Sequence, residues 1–97
     1  MENRLHKSMR ETFEECLKIS IKKNADYASV KDPFKNFRMS EMVGVEPMRA
    51  IMVRMMDKMS RISTLLDKSP DVKDERLEDT IHDLINYSAI LKALKND

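Results

Sequence analysis

Residues 47–67, PMRAIMVRMMDKMSRISTLLD, decide the fold. Pro47 stands where a helix accepts proline best, at its first position, since the missing N–H would have no partner there anyway. Behind it Ile51, Met52, Met55, Met56, Met59, Ile62, Leu65 and Leu66 recur at steps of three and four. That period lines apolar side chains along one side of an α-helix. A helix is predicted over residues 47–67.

After this helix, Lys68, Ser69, Pro70 and Asp71 read as a turn, with Asp71 or Asp74 available as an N-cap. Leu77, Ile81, Leu84, Ile85, Ser88, Leu91 and Leu94 then mark a helix over residues 74–94. Glu75, Glu78 and Asp79 fall near its first turns, where the helix dipole favours negative charge. So short a linker predicts an antiparallel helix hairpin. Upstream, Leu5, Met9, Phe13, Cys16, Leu17 and Ile21 mark a helix over residues 2–23 that covers the hairpin. Lys22 and Lys23 suit its C-terminal end and Asn24 is a candidate stop. Residues 24–38, NADYASVKDPFKNFR, are the least regular stretch. Pro33 blocks a helix there, yet Tyr27, Phe34 and Phe37 concentrate three of the five aromatic residues in it. A short helix over 39–43, ended by Gly44, follows. The expected fold class is all-α: one small helical bundle spanning residues 1–97.

Composition agrees. Hydrophobic residues make up 41% and charged residues 36% of the 97 positions, too apolar for disorder and rich in solvated helix faces. One Gly and three Pro leave room for long helices. The net charge of +1 gives no general attraction to nucleic acid or membrane. Cys16 stands alone, so it makes neither an internal disulfide nor a thiolate zinc site, and its place in the apolar pattern marks a small core residue. No apolar run approaches the ~20 residues of a membrane span, and the first residues lack a signal-peptide core. A soluble, cytoplasmic protein is expected.

Two charged rows stand away from the apolar stripes. The Met-rich helix carries Arg54, Asp57, Lys58 and Arg61; the last helix carries Asp79, Asp83 and Asn86. In an antiparallel hairpin these rows can face each other. One resulting chemistry is phosphate binding, in which Arg and Lys give charge-assisted donors. Lys23 or Lys31 adds charge, and Tyr27, Phe34 or Phe37 stacks on a base, worth about 1–3 kcal/mol per base in nucleic-acid systems. The other is a Mg²⁺ site, with Asp79 and Asp83 one turn apart and Asp57 as a third ligand. Against both stands the ordinary reading. A charged helix row is usually a solvated face, Arg54, Asp57 and Arg61 can pair with Asp79 and Asp83, and the loop aromatics and the methionines can be core. His82-Asp83 matches a phosphohydrolase metal dyad, but His6 is the only other histidine, so His82 reads as a helix-surface residue. Gly44 alone builds no glycine-rich phosphate loop.

Taken in order, Asp26-Tyr27, Asp32-Pro33-Phe34 with Asn36-Phe37, Val53-Arg54-Met55, Asp57-Lys58-Met59-Ser60-Arg61, Val72-Lys73-Asp74-Glu75, Glu78-Asp79-Thr80 and Asp83-Leu84-Ile85-Asn86-Tyr87 resemble the nucleotide-modification-associated domain family. The resemblance runs from Lys23 to Leu94 and rests on order and spacing rather than on any single motif. It implies a small helical phage or prophage protein tied to modified-nucleotide metabolism, in the host cytoplasm if phage-encoded. Its paired acidic helices also look somewhat like the MazG-like all-α NTP pyrophosphatases. Those enzymes hold Mg²⁺ between acidic pairs on two helices. Here the Met-rich helix offers Asp57 alone, among Arg54, Lys58 and Arg61, a row better suited to phosphate.

Three functions follow. The first is a nucleotide-binding domain, with Lys23, Tyr27, Phe34, Phe37, Arg54, Lys58, Arg61 and Asn86 as ligand-binding candidates. The second is a non-catalytic phage sponge that sequesters a cyclic-nucleotide immune signal, an anti-defence role. The third is a Mg²⁺-dependent nucleotide pyrophosphohydrolase using Asp57, Asp79 and Asp83. Because Met48, Ile51, Met52, Met55, Met56 and Met59 spread around more than half of their helix, a homodimer or higher symmetric oligomer is also expected.

Overall fold

The computed structural model describes residues 5–27, 34–68 and 75–96, with the side chains of 24–27 and 75 excepted. All regular structure among them is helical. Helix α1 spans Lys7–Tyr27, α2 Lys35–Arg38, a 3₁₀ turn Met39–Val43, α3 Pro47–Leu66 and α4 Glu75–Lys95. The small all-α bundle expected from the periodicity is therefore the fold.

Helix α3 begins at Pro47 as expected, behind an extended Glu46. It ends where the backbone N–H groups of Asp67 and Lys68 turn back onto the carbonyls of Thr64 and Leu65. The 3₁₀ turn ends at Gly44, whose φ of 76° is the left-handed conformation glycine adopts at least cost. Gly44 N–H donates to Glu41 and Val45 N–H to Ser40, so the closing carbonyls are satisfied. The caps proposed at Asp71 and Asp74 lie outside the described residues.

Helix α1 departs from expectation at both ends. It starts late because His6 caps it: the His6 Nδ1 accepts from the Ser8 N–H at 3.0 Å, and its carbonyl accepts from Arg10. It runs past Asn24 to Tyr27 because no Gly or Pro follows closely enough to stop it.

Helices α3 and α4 form the main contact, with α1 laid against α4 and α2 against α3. Ion pairing of Lys58 with Asp83, one well inside each helix, fixes the antiparallel register. Ile51 is fully buried and Leu65 nearly so. Thr80 is buried too, its hydroxyl donating to the Arg76 carbonyl one turn back at 2.6 Å. Among the described side chains of α1, Cys16 is the buried one, with Thr12, Ile19 and Ser20 half-buried beside it. The expected stripe of α1 is thus only partly used, since Leu5, Met9, Phe13, Leu17 and Ile21 are exposed. The helix meets α4 through a face of mostly small side chains instead.

Candidate functional site

The α3–α4 hairpin aligns one turn of α3 with one turn of α4 at a time. Lys58 stands opposite Asp83. One turn back along α3 lies Arg54, and one turn on along α4 lies Tyr87. Arg54, Lys58 and Tyr87 line a surface hollow of about 390 Å³ together with Asp57 and Arg61, a volume within the usual range for small-ligand sites. Three cations and one carboxylate face it.

Asp83 organises the edge of the hollow. Its Oδ2 accepts from Lys58 Nζ at 2.9 Å and its Oδ1 from Lys23 Nζ of α1 at 3.1 Å. One carboxylate on α4 therefore ties together lysines from α1 and α3. Burial by itself pushes the Asp83 carboxyl up, but the hydrogen bonds and charges of Lys58 and Lys23 outweigh it and hold the group below its ordinary value. Asp83 and Lys58 are each 21% exposed, so this pairing is less screened than a surface ion pair.

The arginines have other surroundings. The Arg54 guanidinium lies over the Phe37 ring, 5.3 Å from its centroid, a cation–π contact that orients the guanidinium without neutralising it. Neither Arg54 nor Arg61 forms an ion pair among the described residues. The rows do meet across the hairpin, but through Lys58 and Asp83 and not through the arginines.

The other candidates scatter. Phe37 reaches the rim of the hollow through Arg54. Phe34 carries Arg38 at 6.0 Å and does not line the hollow. Asn86 is half-buried with an Nδ2 that has no partner among the described residues, and it too lies outside the lining. The Tyr27 side chain and all of Lys31 lie outside the described residues. Asp57 lines the hollow, Asp83 is engaged by two lysines, and Asp79 is exposed on α4. Among the described residues no three Asp, Glu, His or Cys side chains gather as a metal-holding group, so the three aspartates are not brought together as one set.

His82 departs from the surface reading. It is half-buried with an Nδ1 unpartnered among the described residues, and its carbonyl accepts a weak hydrogen bond from Cys16 Sγ at 3.8 Å. Burial, aided by Glu15 and Asp83, pushes the Cys16 thiol up, so it stays protonated as a core residue does.

Tyr87 is the lining residue that the pattern of charges overlooks. It lies one turn beyond Asp83, and the register that pairs Lys58 with Asp83 places it opposite Arg54.

The fold and hollow define a class, a small all-α domain with a cationic depression on a helix hairpin. Comparison with protein-family models, curated proteins and solved structures finds no match. Among the described residues, no helix is long and apolar enough to cross a membrane.

Proposed function

We propose that this chain is a nucleotide-binding helical domain that grips phosphate through Arg54, Lys58 and Arg61, in the setting of modified-nucleotide metabolism. The observation that carries this reading is the convergence of those three cations and Tyr87 on one hollow, with the Asp83 carboxylate already saturated by lysines. The excess positive charge of the lining suits an anion. Planar guanidinium groups match phosphate oxygens bidentately, and the Tyr87 ring offers a flat partner for a base or sugar. The same hollow serves a sponge that holds a cyclic signalling nucleotide. The commitment of Asp83 to two lysines favours binding over Mg²⁺-dependent hydrolysis.

Thermal-shift titration with inorganic triphosphate and with mono-, tri- and cyclic nucleotides tests this directly. A bound ligand raises the melting temperature by mass action. At least one phosphate ligand is expected to do so, and Arg54→Ala with Arg61→Ala to remove the effect. No shift with any ligand, or a shift that survives the double substitution, contradicts it. Pyrophosphate release from a nucleoside triphosphate with Mg²⁺, lost in Asp79→Ala, would instead establish the hydrolase. Recovery of intact cyclic nucleotide after heating would establish the sponge.

A further inference from the structure

We propose that a second copy of this chain covers two apolar helix faces that its own fold leaves bare, with α1 of each subunit seated on the methionine face of α3 of the other. On α1, Met9, Phe13, Leu17 and Ile21 are each at least half exposed and follow one another at single-turn steps. On α3, Met52, Met56, Met59 and Leu66 are likewise exposed. The two stripes match in length: about twelve residue steps from Met9 to Ile21 span about 18 Å, and about fourteen from Met52 to Leu66 span about 21 Å. Their chemistry also fits. Unbranched methionine side chains adapt their shape to a neighbour and make favourable sulfur–aromatic contacts, which Phe13 can supply.

Surface area argues for a partner of this size. The chain exposes 8011 Å², whereas a compact monomer of its 11.4 kDa mass would expose about 5,800 Å². Its radius of gyration is 15.5 Å, against about 12.5 Å for a compact chain of this length. The excess is roughly 2,200 Å². A standard stable interface covers about 800 Å² per partner, well within that excess. A reciprocal pairing, α1 on α3 twice, also closes on itself, so the assembly stops at two. On the α3 surface the methionine face and the Arg54–Arg61 row flank the buried Ile51–Leu65 line on opposite sides, so the dimer leaves the hollow open.

Light scattering coupled to gel filtration at tens of micromolar tests the proposal on the full chain. The expected mass is twice 11.4 kDa, or 22.8 kDa. Leu17→Glu and Met56→Lys alter exposed side chains, and each alone should weaken association by about tenfold or more, with helical circular dichroism unchanged. Mixed together, the two variants should re-form a dimer. The acidic α1 of the Leu17→Glu chain then meets the basic α3 of the Met56→Lys chain, and the two unaltered faces form the other contact. A monomer for the unaltered chain overturns the proposal. So does a dimer indifferent to either substitution, or a mixture that fails to re-associate.

Discussion

Asp83 is a single carboxylate shared by two lysines on two different helices, and its environment sets how it behaves. Removing it leaves Lys23 and Lys58 close together without their counter-charge. For a half-buried pair such as Lys58 and Asp83, Asp83→Ala is expected to cost about 1–2 kcal/mol, between the values for exposed and buried ion pairs, measured as a lower urea midpoint. The pH dependence follows from the depressed carboxyl. Its folded value lies below its unfolded one, so its contribution is complete above the ordinary carboxylate value, about pH 4, and is lost as pH falls through the folded value. The difference between the unaltered chain and Asp83→Ala should therefore be constant near neutrality and shrink in acid; a difference that does not fall as the pH drops below the ordinary carboxylate value contradicts the assignment. The same substitution frees Lys58 toward the hollow. It should strengthen phosphate binding, where loss of a metal ligand would weaken it. At this scale the sequence discloses the charged residues but not their pairing. Lys23 is visible as a cation, yet nothing in a one-dimensional pattern says that α1 brings it to Asp83. Tyr87 escapes a search for charge, although the register set by Lys58 and Asp83 leads to it.

Helix ends are legible where backbone chemistry dictates them. Pro47 opens α3 and Gly44 closes the 3₁₀ turn because each fits a backbone state that other residues fit poorly. Gly44 tests this cleanly, since a Cβ there would meet nothing within 4 Å. Any cost of Gly44→Ala is then the left-handed φ and not a clash. A loss of about 1–2 kcal/mol is expected, with Gly44→Asn milder, in thermal or denaturant unfolding; equal stability for the alanine variant would contradict the backbone account. The end of α1 is less legible because Asn24 disfavours a helix only weakly, and only Gly or Pro ends one decisively. Its start is hidden because histidine is an uncommon cap, and the Nδ1 that receives the Ser8 N–H is invisible in sequence. The use of each face is hidden as well. Periodicity marks a stripe as apolar, but it does not say whether the covering surface lies in the same chain. On α1 the face that meets α4 holds Thr12, Cys16, Ile19 and Ser20, and the larger apolar side chains turn outward.

Across the whole molecule, two properties of α3 separate onto different sides of one helix. The cationic row with Tyr87 forms a polar hollow, while the methionine face offers an adaptable apolar surface. Among the described residues the buried apolar core is small, with Ile51 and Leu65 on α3 and Cys16 on α1. Association and ligand binding should therefore be separable: Met56→Lys is expected to break the dimer, and Arg54→Ala to weaken ligand binding without changing mass. Both roles proposed for the cationic row depend on the hollow holding phosphate. The most direct measurement is a titration of the isotopically labelled chain with inorganic triphosphate, followed by amide and guanidinium resonances in solution. Saturable shifts centred on Arg54, Lys58, Arg61 and Tyr87, lost in Arg54→Ala with Arg61→Ala, are predicted. Resonances that stay still at millimolar triphosphate, or shifts that persist in the double variant, would contradict it.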